Sequence, residues 1–477
     1  MAQSTRPRVG FARVAVTSAG MLGGFGVRDD LCGRVLYADA GEQPLVLISL
    51  DAMGLTPGRS AALKSRLAKA CRIPADRTVI FYSHTHAGAE FRAEALARLL
   101  AAAVAEARRK ARPAELAYRR VDVGRRYSVN RRAVVGHGLG AVSILFNRNI
   151  TVDLKKGTEE VGEQIRDFIC TGRNIWSPFY LEPERDPQPG QRALSGKQMA
   201  LLKSIPRNVY LEGPVDPHLE WLAFRTKRGR SLGSIVRFSA HPVIWRKSIT
   251  GRISADYPGV LCGAIEKATG APALFVNGPC GDVKPLYPSN SEAEMVRVGR
   301  SLANELLRRR RDLTWQALER VTLLGPRERF AVHADVRKYA GRWPVGKAAA
   351  RHASLARRGT DPAAVKRALD WALRCWGNGE IDWHRGTITL PFHFVGFNDV
   401  GVLGLPNEVW CEIGLAVKHA CRGKQVIVGA NCDVVTNYVP MSGALSLGGY
   451  EAMNSMLEES AGERYAAIGA ELVDQNL

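Results

Sequence analysis

The residues that first invite chemistry are His84 and His86, in Ser83-His84-Thr85-His86-Ala87-Gly88, directly after the apolar run Thr78-Val79-Ile80-Phe81-Tyr82. A run of β-branched and aromatic residues reads as a buried strand. Two histidines at i and i+2 then leave the end of that strand on one face. Imidazoles gathered at a strand end, opening into a glycine-containing loop, suit a catalytic metal. One binds through nitrogen while the other supports it or acts as acid or base. Two hydrogen-bonded polar residues closing a strand would look the same, and the pair alone does not decide.

Further candidates follow other apolar runs. His241, in Ser239-Ala240-His241-Pro242, ends the strand pattern over 233–240, and Glu408 lies in Gly404-Leu405-Pro406-Asn407-Glu408. Tyr438, in Asn437-Tyr438-Val439, follows the strand pattern over 426–429. Neutral imidazoles with one carboxylate are a usual set for a hydrolytic zinc, with one position left open for water. Zinc lowers the pKa of that water to about 7 and polarises a substrate carbonyl. Arg131, after Asn130, would anchor an anionic or carbonyl group through paired hydrogen bonds, or form a structural ion pair. Asp256, in Ser254-Ala255-Asp256-Tyr257-Pro258-Gly259, either orients a metal-bound histidine or caps the helix it precedes. Asp51, at a strand end, is either a supporting carboxylate or a loop anchor. Cys280 reads as a small buried residue.

Strand and helix patterns alternate along the chain. Strands fall at 8–16, 44–50 and 78–82, with helical periodicity near 58–72 and 92–112. Pro258 lies in the first turn of a helix running to about 269, and a helix begins at Glu408. A terminal helix covers 450–475. This alternation predicts an α/β protein, a mixed sheet flanked by helices in one large catalytic domain over residues 1–477. In such sheets chemistry collects beyond the carboxyl ends of strands. Segments 133–212 and 335–385 read as insertions or lid segments. No internal repeat is visible.

Composition bounds the possibilities. The chain has 477 residues, 46% of them hydrophobic, and a formal net charge of +21. Its nine cysteines form no CxxC pair, which excludes a disulfide framework and a structural thiolate zinc site. No apolar signal-peptide core and no stretch of about 18 apolar residues is present, so a cytoplasmic protein without a transmembrane segment is expected. The positive charge suits an anionic substrate or surface. Its clusters are scattered and not interleaved with aromatics, so specific nucleic-acid binding is not expected. Homo-oligomerisation is left open.

Several motifs, in order, resemble those of the neutral (non-lysosomal) ceramidases. They are Arg8-Val9-Gly10-Phe11-Ala12-Arg13-Val14, Ser83-His84-Thr85-His86-Ala87-Gly88, Gly213-Pro214-Val215-Asp216-Pro217 and Ser239-Ala240-His241-Pro242. Further along come Ser254-Ala255-Asp256-Tyr257-Pro258-Gly259, Gly281-Asp282-Val283-Lys284-Pro285, Gly404-Leu405-Pro406-Asn407-Glu408, Asn437-Tyr438-Val439 and Gly449-Tyr450-Glu451-Ala452. The resemblance spans essentially the whole chain and implies zinc held by His84, His241, Glu408 and Tyr438. It places His86 beside the metal to stabilise the transition state. The implied reaction is hydrolysis of the amide of an N-acylated small molecule or lipid-like substrate by metal-activated water. Alternatives are an amide-forming or acyl-transferring enzyme with the same site, and a non-catalytic binder of an anionic partner. One departure is chemical. The family's serine is replaced by Lys284, which suits an acidic substrate group or acid/base work. The family's immunoglobulin-like C-terminal domain is not expected, since the chain runs about 40 residues past Tyr438.

Overall fold

A computed structural model describes residues 6–39, 43–135, 140–143, 179–180, 192–193, 213–287, 289–332, 381–382, 386–445, 450–453 and 455–477. The segments expected as insertions, 133–212 and 335–385, lie almost wholly outside the described residues.

Apart from shorter strands, one order of elements occurs three times: strand, strand, strand, helix, strand, helix. The first unit is β1 (Arg8–Ala15), β2 (Cys32–Asp39), β3 (Leu45–Leu50), α1 (Pro57–Cys71), β4 (Thr78–Tyr82) and α2 (Ala93–Lys110). The second is β5 (Glu115–Asp122), β6 (His218–Arg225), β7 (Ser231–Phe238), α3 (Asp256–Thr269), β8 (Ala273–Asn277) and α4 (Glu292–Leu307). The third is β9 (Val321–Leu324), β10 (His393–Phe397), β11 (Val400–Gly404), α5 (Cys411–Ala420), β12 (Gln425–Gly429) and α6 (Ala461–Asp474).

Each unit builds its own sheet, with orders β4-β3-β2-β1, β8-β7-β6-β5 and β12-β11-β10-β9. The first three strands of every unit are antiparallel. The fourth joins the third in parallel. A parallel neighbour requires a crossover, and α1, α3 and α5 supply it. The parallel strands carry continuous apolar runs, as in Leu45-Val46-Leu47-Ile48 and Val426-Ile427-Val428, because both their faces are covered.

Residue identity does not repeat between the units, so the expectation of no internal repeat is corrected at the level of topology. Helices α1 and α2 cover the outer face of the first sheet around Leu63 and Leu100. Helices α3 and α4 cover the second around Leu261 and Leu302, and α5 and α6 the third around Ile413 and Tyr465. The inner faces share one cluster containing Val9, Phe11, Leu222, Phe224, Val395 and Phe397. Phe224 links the sheets, its ring lying 5.5 Å from Phe11 and 5.3 Å from Phe397. A side chain at Gly233 would meet the Phe11 ring at 2.2 Å, so glycine is required there for the sheets to approach.

The mixed-sheet α/β class is as expected. Strands β2 and β6 were not anticipated, because each carries a buried charge within an otherwise apolar pattern. Arg34 in β2 pairs with Asp51 at 3.1 Å and Glu266 at 2.8 Å. Glu220 in β6 receives Lys418 at 3.0 Å and Arg237 at 3.4 Å. Glu408 does not begin a helix. It opens the short strand Glu408–Val409, and α5 starts at Cys411. The C-terminal helical region comprises Tyr450–Met453 and α6 in place of one long helix. No described helix is long and apolar enough to cross a membrane.

Asp433 fastens the first unit to the third. Its carboxylate receives Lys64 of α1, His393 Nε2 at 2.8 Å and the Ile80 backbone N–H at 2.9 Å. Burial alone would raise this carboxyl, but Lys64 and His393 hold it well below the ordinary range. A depressed carboxyl stabilises the fold above its unfolded pKa of about 4, and that contribution is lost as pH falls towards the folded value. Asp433→Asn is therefore expected to cost about 3–5 kcal/mol in urea unfolding at neutral pH, with the gap to wild type narrowing below about pH 4. Phe224→Ala is expected to cost about 3–5 kcal/mol in the same assay, since it empties the junction of the sheets.

Candidate metal centre

The loops after the parallel strands meet at one pole of the molecule. Beyond β4, Ser83 and His84 continue the ladder to the opposite loop, with Ser83 N–H on Leu50 O at 3.0 Å and His84 N–H on Ala52 O at 2.9 Å. His84 then takes a φ of 66°, which turns the chain out of the strand. The His86 N–H donates to Pro242 O at 3.2 Å, tying this loop to the one after β7 that carries His241. Glu408 and Tyr438 are direct partners in a short parallel pair.

The imidazoles are held from behind. His84 Nδ1 donates to Met53 O at 2.5 Å, and His241 Nδ1 donates to Cys280 O at 2.5 Å. A carbonyl only accepts, so each ring carries its proton on Nδ1 and presents a lone pair at Nε2. Those two Nε2 atoms lie 3.2 and 3.0 Å from one oxygen of Glu408. Tetrahedral zinc with bonds of about 2.0–2.1 Å has ligands about 3.3 Å apart, so this spacing fits such an ion. His84, His86 and His241 each place a ring nitrogen within 4.8 Å of the others. Nε2 of His84 and of His86 are both buried with no hydrogen-bond partner among the described residues. Buried polar atoms without partners are costly, and a bound cation would satisfy them. The donor set fits a divalent metal.

Charges follow this arrangement. Burial, then His84, His241 and Arg246, hold the His86 imidazole well below its ordinary pKa. Burial and then Arg131 bring His241 down to about 4. Burial would raise Glu408, but the two histidines outweigh it and keep the carboxylate well below its usual range.

Tyr438 stacks on His241 at 6.3 Å, and its hydroxyl accepts from Arg131 Nη2 at 3.1 Å. Arg131 is fixed by Glu451 at 2.7 Å and Gly281 O at 2.7 Å. Glu451 also receives Arg132 at 3.5 Å. Lys284 is fully buried on a short strand paired with Ser128–Asn130. Burial, with Arg131 and Arg246 nearby, holds its amine well below the ordinary lysine pKa.

Asp256 is the first residue of α3. With a φ of 57° it accepts from the Trp245 N–H at 3.0 Å and the Tyr257 N–H at 2.5 Å. Burial pushes its carboxyl up to about 7. The N-cap of α3 is Ala255 and makes no side-chain cap bond, so Asp256 does not cap the helix but ties the loop after His241 to its first turn. Asp51 anchors Arg34 and the Cys32 N–H rather than a histidine. Burial raises the Cys280 thiol, so it is no thiolate.

Sequence reading named neither Glu451 nor Arg246 as working groups. Nor did it find the Met53 and Cys280 carbonyls, since backbone acceptors carry no residue signature. His84→Ala and His241→Ala are each expected to weaken zinc binding by more than about 100-fold, read by plasma mass spectrometry after dialysis, since even an outer partner is worth roughly 10–100-fold.

No protein-family model and no curated protein matches the chain by sequence. Solved structures do. The neutral ceramidase from Pseudomonas aeruginosa superposes with a TM-score of 0.61 at 13% identity, over 99% of this chain and 74% of that one. A ceramidase complexed with C2 superposes with a TM-score of 0.61 at 14% identity, over 98% of this chain and 75% of that one. Over nearly its whole length, the chain has the fold of the neutral ceramidases.

Proposed function

We propose that this chain is a zinc-dependent amidohydrolase that cleaves the amide of an N-acylated small molecule or lipid-like substrate. The observation that carries the reading is the convergence of His84 Nε2 and His241 Nε2 on one Glu408 oxygen, at 3.2 and 3.0 Å, inside a ceramidase-like fold. In it, His84, His241, Glu408 and Tyr438 hold the ion. Zinc bound there would act as a Lewis acid on the acyl carbonyl and acidify water at neutral pH.

The chain's own residues supply the rest. Arg131 donates to the Tyr438 oxygen and stabilises negative charge on it, while Glu451 keeps the guanidinium in place. His86, neutral and with Nε2 free of protein partners among the described residues, is placed to take a proton from the attacking water and pass that proton to the leaving amine, which returns the imidazole to its neutral form. The family's serine is absent, so no serine step runs from position 284. Arg131 supplies positive charge beside the site, and Lys284, whose amine burial holds well below the ordinary lysine pKa, is suited to acid/base work there.

The purified zinc form is expected to release amine and fatty or small acid from a panel of N-acyl compounds, read by mass spectrometry. Chelation should stop the reaction and zinc restore it. No turnover of any amide by the fully zinc-loaded protein would overturn the proposal. His86→Ala is expected to keep its zinc and lose about 10²–10⁴ in kcat. Lys284→Met is expected to lower kcat about tenfold or more and to change the pH profile of kcat, with little change in KM.

A further inference from the structure

A groove of about 450 Å³ lies where β7 begins, at the opposite end of that strand from His241. Lys110, Arg112, Lys227, Arg228 and Arg230 line it, and no acidic residue does. Two elements of different units supply the charge. Lys110 ends α2 and Arg112 follows it, donating to Arg109 O at 3.0 Å and Ala111 O at 2.8 Å. Cations are at home beside a helix's last carbonyls. The other three form the tip of the β6–β7 hairpin, closed by the Gly229 N–H on Thr226 O at 2.8 Å. That turn needs a residue that tolerates positive φ, and Gly229 at 82° meets the need. The cations on either side of it add only repulsion to the turn.

The adjoining acids do not balance the groove. Glu106 pairs with Lys110, Glu115 pairs with Arg225 at 2.8 Å, and Asp39 lies opposite Arg8 in the ladder. Arg112, Lys227, Arg228 and Arg230 have no carboxylate partner among the described residues. Like charges gathered around one groove repel, and an anion seated between them removes that cost. We infer that the groove binds a compact polyanion, a small molecule carrying two or more adjacent phosphate groups. Guanidinium forks and a lysine point charge match phosphate oxygens, and a few hundred Å³ is the size of a small-molecule site. A nucleic acid is disfavoured, because its contacts would have to continue beyond the groove, where the next cationic run is committed to its own surroundings. Arg308 and Arg309 pair with Glu305 at 3.0 Å, and Arg310 donates to Ala268 O at 3.0 Å. The length of β7, about 23 Å at the rise of a strand, separates the groove from the loop of His241. Binding there depends neither on the metal nor on catalysis.

The test is titration calorimetry at physiological salt with inorganic triphosphate as the probe. The wild-type chain is expected to bind it at least about tenfold more tightly than inorganic phosphate, because several cations engage one ligand. Lys227→Glu/Arg230→Glu should weaken triphosphate by about tenfold or more. Thermal melts establish folding, and Lys227→Ala/Arg230→Ala replaces the reversed pair if that pair unfolds. Arg308→Ala/Arg311→Ala, in the neighbouring cationic run, should change binding by less than about threefold. His84→Ala should also stay within about threefold of wild type, which separates the groove from the metal centre, where triphosphate would coordinate a bound ion. No binding of triphosphate, equal binding by the hairpin variants and wild type, or loss only in the Arg308 control or in His84→Ala would overturn the inference. So would a short mixed-sequence DNA duplex that binds more tightly than triphosphate and is lost in the hairpin variants.

Discussion

Much in this protein depends on how the fourth strands of the three units are tied at their carboxyl ends. The Tyr82 N–H donates to Asn431 O at 3.0 Å, the Ala430 N–H to Asn277 O at 2.8 Å, and Asn277 Nδ2 to Ser83 O at 3.1 Å. These bonds join β4, β12 and β8 where each strand gives way to a loop. Buried backbone groups must be paired, so the three loops cannot separate without exposing those groups. The next residue after Ser83 is His84. The fastening of the sheets and the placement of the first imidazole are one event.

The shared inner core acts on the same constraint from below. Phe11, Phe224 and Phe397 come from three sheets, and their contacts fix how closely the sheets approach. Interiors are packed too densely to absorb a shift of an ångström. A change in that packing would move His84, His241 and Glu408 relative to each other, because each hangs from a different sheet. The metal-like spacing of these groups is thus a property of the whole assembly.

Buried charge is the third recurring device. Arg34 with Asp51 and Glu266, Arg237 with Asp216 and Glu220, and Asp433 with Lys64 and His393 each join separate elements. Glu451 with Arg131 and Arg132 does the same beside Tyr438. Such pairs add little net stability over apolar packing, but leaving one member alone is costly. They therefore penalise wrong pairings of three similar sheets. They also hid strands from a reading based on apolar pattern, as at β2 and β6.

The sequence by itself determined that His84, His86, His241, Glu408 and Tyr438 lie just past apolar strands, since residue type and period 2 are local properties. It showed the α/β class, the main helices and the resemblance whose fold the superposition bears out. Only the tertiary structure decided the threefold repetition of units, because topology is conserved by hydrogen-bond pairing and not by residue identity. Only it turned the Nε2 atoms of His84 and His241 onto one oxygen of Glu408, since the Met53 and Cys280 carbonyls that orient them come from distant loops. It also put Asp256 at the head of α3, where two backbone N–H groups claim its carboxylate. Spacing along a chain names candidates for a site, whereas the distance between them is set by which sheets pack together.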